Sequence, residues 1–424
     1  MYYDVIIIGA GLSGLMAAEA AQSQGARVLI LARGMGSLPL TSGCIDGLGY
    51  FPSHSQTPLS SPLSGLEPLR DSHPEHPYAK VGPETIVKAL ARFQERVNLG
   101  GMLYVGNFDS NVLLPTPLGT FHPTCLVPVM MKNGNLSTPG STLLLGVEGL
   151  KDFSSPWAAE NLNSLYSRGT IASSFRAAVL ERLDLSSKAM NALNLARAFD
   201  DRDFRDRFAK KVTRLLKPGE RLGVPAVLGF HSAQEAWSDL QEKLGAEIFE
   251  IPLPPPSVPG IRLYNILRSH LQEKGVRFIM GLSSVKPIID QQRITGLMMG
   301  ERRSPHYSAR AFVLATGKFI GGGLDSDQTR IFETLFDLPV RYPKLRREWF
   351  NPRLLSVHGQ PFNGFGLEVN DSLQPVDFGG QVIYCNLFAA GGIIAHADSM
   401  AEKSGGGVAI ATGFQAGMLA AGMK

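Results

Sequence analysis

The sequence predicts an α/β fold built around a parallel sheet, and three separated segments predict it. The first is a β-branched run, Val5 to Ile8, that meets Gly9-Ala10-Gly11-Leu12-Ser13-Gly14 and then an alanine-rich stretch, Leu15 to Ala21. A continuous apolar run of this kind marks a strand buried on both faces. The second is Ala311 to Leu314, another buried strand, ending in Ala315-Thr316-Gly317. The third is Val382 to Ala390, a strand running into Gly391-Gly392, followed by Ser404-Gly405-Gly406-Gly407 and an apolar helix, Val408 to Ala421, interrupted by Gly413 and Gly417.

Taken in order, the first segment is a strand, a glycine turn and a helix N-terminus. That arrangement cradles a dinucleotide-type phosphate. Gly9 allows the tight turn, Gly11 lets the phosphate approach the backbone, and Gly14 lets the helix pack on the strand. A second strand follows, Arg27 to Leu31, and a dinucleotide fold normally ends it in a carboxylate that holds the adenosine ribose. Here the position is Ala32, followed by Arg33-Gly34. Two readings stand side by side on this local chemistry: a mononucleotide such as FMN, or FAD held by other contacts. In flavoproteins of this kind a C-terminal strand delivers a carboxylate to the ribityl chain, and the next helix points its positive end at the flavin pyrimidine. The helix is present, but Gly392 stands where the carboxylate is expected. The fold expected is therefore a Rossmann-like two-dinucleotide-binding-domain flavoprotein fold with an inserted second α/β domain.

Between these segments, residues 51–78 carry six prolines and read as loop. Residues 84–98 read as helix. Leu143 to Val147 and Ala226 to Phe230 read as short strands, each ahead of a helical stretch, at 150–167 and 232–244, with a longer helical region at about 188–216 between them. This alternation suggests the inserted domain, at about 105–255 within an inserted region 51–255. A stiff proline connector, Pro252 to Gly260, leads into an amphipathic helix, Ile261 to Lys274, and strands at 276–280, 284–289 and 293–299 return the chain to the cofactor domain. That domain is discontinuous, 1–50 plus 256–330 and 375–424, with 331–374 as connecting loop.

Composition narrows the function. At 424 residues the chain can bury two domains. A net charge of +4 gives no reason to invoke nucleic acid. The basic cluster from Arg202 to Arg221 alternates with acids and reads as a solvated helix face. Cys44, Cys125 and Cys385 form no CxxC, so no iron–sulfur or zinc framework, and no metal site, is expected. Few cysteines suit a reducing cytoplasm. No run reaches the ~20 apolar residues of a membrane span, and the N-terminal run does not read as a signal peptide. A flavin is then the one evident redox agent. Alcohol oxidation at a flavin needs a base, for which His122, His231, His358 and His396 are candidates. His396, just past the flavin-side glycines, is best placed. A substrate phosphate wants arginine, and Arg262 and Arg353 are candidates. For each of these side chains, a packed or exposed structural role is the commoner one.

In order along nearly the whole chain, Thr41-Ser42-Gly43-Cys44-Ile45-Asp46, His76-Pro77-Tyr78, Thr116-Pro117-Leu118-Gly119-Thr120, Gly146 to Phe153, Asn194-Leu195-Ala196-Arg197, Pro255 to Leu263 and Gly405 to Val408 resemble the B subunits of anaerobic glycerol-3-phosphate dehydrogenases. The missing carboxylates at Ala32 and Gly392 fit the same resemblance. It implies an FMN-binding subunit that pairs with an FAD-bearing subunit and with an iron–sulfur, membrane-associated subunit passing electrons to quinone. It also implies oxidation of sn-glycerol 3-phosphate to dihydroxyacetone phosphate, at the inner face of the cytoplasmic membrane through those partners. The residues expected at the cofactor are Gly9, Gly11, Gly14, Ala32, Arg33, Gly43, Gly317, Gly391, Gly405, Gly406 and Gly407, with His396 and Arg262 in catalysis. Two other readings are an independent FAD enzyme of the fumarate-reductase or succinate-dehydrogenase kind, and a scaffold subunit with an empty cradle.

Overall fold

The apolar N-terminal run forms the strand Tyr2–Ile8, and the stretch after its glycine turn forms the helix Leu12–Ser23. A computed structural model describes all residues except 182, 184, 186–188, 282–284, 301–304, 357 and 424. The strand lies between two parallel neighbours, with Val5 level with Val28 of Val28–Ala32 and with Ala311 of His306–Leu314. The full order in this seven-stranded sheet is Arg277–Met280, Val28–Ala32, Tyr2–Ile8, His306–Leu314, Arg293–Met299 and Val285–Asp290, with Leu387–Ala389 also on His306–Leu314. Buried on both faces, Val5 to Ile7 and Phe312 to Leu314 are wholly inaccessible to solvent, which is why these segments read as unbroken apolar runs.

The strand His306–Leu314 is shared at a fork. Its first residues pair antiparallel with Arg293–Met299 and its last three pair parallel with Leu387–Ala389. Asn386 closes the fork. Its side chain accepts from the Ile294 N–H (3.0 Å) and donates to the carbonyls of Ile294 (2.8 Å) and Arg310 (2.9 Å), and it is completely buried. Three backbone groups that the diverging strands cannot satisfy are satisfied by one amide.

The chain divides into two units. The first comprises Met1–Ser37, Asp46–Arg96 and Leu267–Lys424, and holds the seven-stranded sheet. The second comprises Leu38–Ile45 and Val97–Ile266. Its four-stranded sheet is wholly parallel, in the order Ile248–Ile251, Arg221–Pro225, Gly140–Val147 and Ser173–Leu180, with helices between the strands and a core of Leu143, Leu144, Leu222, Phe249 and their neighbours.

Several sequence expectations are corrected here. Residues 51–78 are not all loop: Pro62–Ser72 and Pro77–Val81 are helices, each opening on a proline at its first turn, where no N–H is needed. The strand expected at 226–230 lies earlier, at Arg221–Pro225, and 226–230 is the buried turn that follows it. The long helical region at 188–216 is two helices, Ala192–Phe199 and Arg202–Val212. The break falls where Asp201 caps the second helix by accepting from the Phe204 N–H. Residues 188 and 284, at the edges of expected elements, lie outside the described residues. The C-terminal helix Gly405–Gly422 runs unbroken through Gly413 and Gly417. A side chain at either glycine would strike the backbone of Ser13 or Ala17, so these glycines set a close crossing with Leu12–Ser23. Of the C-terminal strand, only Leu387–Ala389 pairs as strand.

Candidate functional site

The carboxyl ends of the parallel strands in the first unit form one rim. Gly9 donates to Leu31, Ala315 to Ile8 and Ala390 to Leu314, at 2.8 to 2.9 Å, so the four strand ends leave the sheet side by side. In open α/β sheets this crevice is where ligands bind. The three glycines of the first turn do different work there. Gly9 sits at φ +116°, and a Cβ on it would collide with the Ala315 carbonyl. A Cβ on Gly14 would collide with the Gly9 carbonyl. Gly11 is unlike both: a Cβ on it would meet only Gly36 Cα, at 3.8 Å. The first two glycines let protein pack on protein, and the third leaves backbone open to a ligand. The N–H groups of Leu12, Ser13 and Gly14, free of partners among the described residues, point from this turn as a helix N-terminus does.

The neighbouring strand ends complete the rim. Ala32 is buried and Arg33 is exposed, with its guanidinium leaning over the loop after Gly317; a Cβ on Gly322 would lie 3.0 Å from Arg33 Nη1. A Cβ on Gly392 would meet Gly317 Cα at 3.8 Å, and one on Gly317 (φ +70°) would meet Gly321 Cα at 3.8 Å, ordinary contacts that leave neither glycine crowded by protein. The Thr316 hydroxyl, on the residue before Gly317 and packed against Gly323, is buried without a hydrogen-bond partner. Gly391 packs on the Ser13 side chain and donates to Thr412 Oγ1 (2.8 Å). An open cradle and an orphaned hydroxyl at the rim fit a nucleotide-type cofactor.

The last helix begins at the same unit's polar cluster. Gly407 is a packing position: its N–H donates to the Asp46 carbonyl (2.8 Å), and a Cβ on it would strike the Tyr78 hydroxyl. The N–H groups of Gly405 and Gly406 have no partner among the described residues and carry the positive end of an 18-residue helix. Beneath them, Glu402 accepts from Ser404 Oγ (2.7 Å) and meets His76 Nε2 (3.2 Å), whose Nδ1 accepts from the Tyr78 N–H. Burial alone would push the Glu402 carboxyl up; the bonds from His76 and Ser404 outweigh it and hold the group low.

His396 stands just beyond, at φ +72°, an uncommon conformation for a residue with a side chain. Two bonds hold it there. Its N–H donates to the Gly364 carbonyl (3.0 Å), and its Nε2 lies 2.9 and 3.0 Å from the two oxygens of Glu368. Arg341 meets the same carboxylate at 3.2 Å. Lys318, the residue after Gly317, donates to the carbonyls of Asn363 and Ala397 and so ties the His396 loop to the rim. Burial pulls the Lys318 ammonium down to about 8, opposed by Asp398 and Glu402.

Of the other expected residues, Arg262, Gly43, His122 and His231 belong to the second unit and His358 to the first. Arg262 is in the second unit and presents nothing to a ligand. It is 3% exposed and gives Nη1 and Nη2 to Glu250 (2.8 and 3.1 Å) and Nε and Nη2 to the Gly229 carbonyl. Glu250 in turn accepts from the Leu228 N–H, so the pair satisfies the buried turn at 226–230. This corrects its expected role: it is a packed structural arginine. Gly43 is also in the second unit, at φ +81°, where a Cβ would press on Pro259 and where its carbonyl accepts from Tyr104. His122 and His231 belong to the second unit, and His358 is exposed with its ring 6.1 Å from that of His54. The sequence reading missed Lys318 and Glu368. A lysine directly after the Ala-Thr-Gly turn was the available signal for the first; nothing local signalled the second.

A mixed sheet whose parallel strands end at this rim, and a second glycine-led helix packed on the first, define a flavin-binding oxidoreductase fold, and residues 4–408 match the FAD binding domain family. Within it, the chain belongs to the family of B subunits of anaerobic glycerol-3-phosphate dehydrogenases. It is 34% identical over 99% of its length, and 97% of the relative's, to a Halobacterium salinarum protein named as the probable B subunit of such a dehydrogenase. It is 31% identical over 97% of its length, and 96% of the relative's, to the B subunit of the anaerobic glycerol-3-phosphate dehydrogenase of Pectobacterium carotovorum. Among solved structures, the open conformation of a flavocytochrome c3 fumarate reductase is 10% identical, covering 99% of this chain and 78% of that one at a TM-score of 0.42. Among the described residues, no helix is long and apolar enough to cross a membrane.

Proposed function

We propose that this chain is the FMN-bearing subunit of a complex that oxidises sn-glycerol 3-phosphate to dihydroxyacetone phosphate and passes the electrons to membrane quinone. Its partners on this reading are an FAD-bearing subunit and an iron–sulfur, membrane-associated subunit at the inner face of the cytoplasmic membrane. The observation that carries the reading is the near-full-length likeness to proteins named as this subunit. FMN rather than FAD is supported by the rim. Ala32 offers no carboxylate to an adenosine ribose, and Arg33 beside it offers a cation suited to a terminal phosphate.

Bound there, a flavin supplies a two-electron acceptor for the hydrogen on the substrate's secondary carbon. The chain's own residues would hold and move the proton. Gly11 to Gly14 would bind the cofactor phosphate through backbone N–H groups. In the tautomer that donates Nε2–H to Glu368, His396 would present Nδ1 as the acceptor for the substrate hydroxyl proton. Glu368 then steadies the imidazolium, while Arg341 on the same carboxylate brings a cation towards the substrate phosphate. Lys318 fixes the loop that carries His396.

The test is dye reduction by glycerol 3-phosphate, measured for the chain alone and for the chain co-expressed with its partner subunits. The reading predicts little or no turnover alone and restored turnover in the complex. Full activity from the lone chain would overturn it in favour of an independent flavoenzyme.

A further inference from the structure

The segment from Arg341 to His358, in the first unit, combines two properties that seldom share a loop. It carries Arg341, Lys344, Arg346, Arg347 and Arg353 against a single acid, Glu348. It also holds large apolar side chains in solvent: Leu345 and Phe350 are 50% exposed, Leu354 is 81% exposed and Leu355 is 94% exposed. Isolated exposed leucines need no explanation, but four large apolar residues within eleven positions, ringed by cations, do.

The loop is built to hold them out. Trp349 is its buried anchor, donating Nε1 to the Pro343 carbonyl (2.8 Å), with Tyr342 edge-on to its ring and Arg346 over its face. Gln360, nearly buried, braces the second half. Its amide donates to the carbonyls of Arg353 (2.9 Å) and Leu354 (3.0 Å) and accepts from the Asn351 N–H (2.8 Å). The backbone under Leu354 and Leu355 is therefore fixed by a side chain from outside the tip, and the two leucines project from it. Arg341 is committed to Glu368, and Arg346 to Trp349 and the Asp327 carbonyl. Lys344, Arg347 and Arg353 have no side-chain partner among the described residues.

We infer that this loop docks the chain directly on an anionic phospholipid surface, Leu354 and Leu355 entering the headgroup layer and Lys344, Arg347 and Arg353 meeting lipid phosphates. Apolar side chains at a tip flanked by unpaired cations are the pattern of an interfacial anchor. A phospholipid surface meets both features in one layer, its phosphates pairing with the cations and its acyl boundary taking up the leucines. The inference goes beyond the proposed function, in which membrane attachment comes through partner subunits, and it does not need that reading to be right.

The test is co-sedimentation of the full chain with phosphatidylcholine vesicles containing phosphatidylglycerol, against pure phosphatidylcholine vesicles, across a salt series. The expected result is binding to the anionic vesicles only, weakening as salt rises. Each cation near such a surface contributes about fivefold in partitioning, so K344Q/R347Q/R353Q should bind roughly a hundredfold more weakly and lose the salt dependence. Leu354→Ser with Leu355→Ser should weaken binding while keeping the salt dependence, because the charges remain. All five positions are exposed, so both variants should keep the parent's melting temperature. Failure of the parent chain to bind anionic vesicles, or equal binding by parent and variants, would overturn the inference. So would a purified partner subunit whose binding is lost in these same variants while vesicles bind none of them.

Discussion

Gly11→Val separates the cofactor role of the first turn from its folding role. The backbone at Gly11 has φ −73° and ψ 179°, a conformation any residue adopts. The nearest atom to a Cβ there is 3.8 Å away, an ordinary contact, so the added side chain enters open space and nothing in the fold must move. That space is where a phosphate would lie against the N–H groups at the start of Leu12–Ser23. Displacing it removes at least two charge-assisted hydrogen bonds at about 2 kcal/mol each. The sum, about 4 kcal/mol, weakens cofactor binding roughly a thousandfold. The assay pairs flavin content per chain, from visible absorbance after gel filtration, with thermal melting of cofactor-free protein. The expected result is loss of flavin with the apo melting temperature unchanged. Gly14→Ala is the contrasting control, because its Cβ would collide with the Gly9 carbonyl and should destabilise the fold itself. A Gly11→Val protein that keeps stoichiometric flavin would refute the placement of the cofactor phosphate.

Ala32→Glu restores a ribose-type carboxylate, and if FMN is the ligand, flavin identity and content stay the same by chromatography of the released chromophore. His396→Asn and Glu368→Gln in the co-expressed complex should each lower kcat for glycerol 3-phosphate by about a hundredfold or more while flavin content holds, in the range general-base loss produces. Asn386→Leu leaves the buried N–H and carbonyl of Ile294 without their side-chain partner, while the Arg310 carbonyl keeps Arg293 Nη2 (3.3 Å), and should cost at least ~2 kcal/mol in urea unfolding. Lys318 gives a pH signature. A lysine whose ammonium is pulled down to about 8 in the fold loses its proton before the unfolded chain does, so the unfolded chain binds more protons between about 8 and 10.5. Stability relative to Lys318→Met should therefore rise across that window, by up to ~3 kcal/mol, and stay flat below it.

What the sequence made legible is whatever a short run dictates by itself. The Val5 to Ile8 strand, the Gly9 to Gly14 turn and the strand before Ala315-Thr316-Gly317 need both burial and glycine, and both leave a mark in composition. The helix Pro62–Ser72 was hidden because six prolines suggested loop, although a proline at a first helical turn costs nothing. Gly413 and Gly417 looked like interruptions because their purpose, the approach of Leu12–Ser23, lies almost four hundred residues away in the chain. Distance in sequence also concealed the pairings that matter at the site. Glu368 with His396, Lys318 with the Ala397 carbonyl, and Asn386 with Ile294 and Arg310 are each brought together by the sheet, and no local pattern announces them. Arg262 was misjudged for the same reason. Its position after a rigid connector suggested a functional arginine, while its partner Glu250, on the edge strand of the second unit's sheet, decided its role.

The most direct test of the account is the identity of the bound chromophore. The chain is purified with its cofactor, the chromophore is released with acid, and the product is identified and counted against protein. The account predicts FMN at one per chain. FAD would show that the rim holds an adenosine half despite Ala32, and a chain with no flavin would contradict the cofactor cradle on which the proposed function rests.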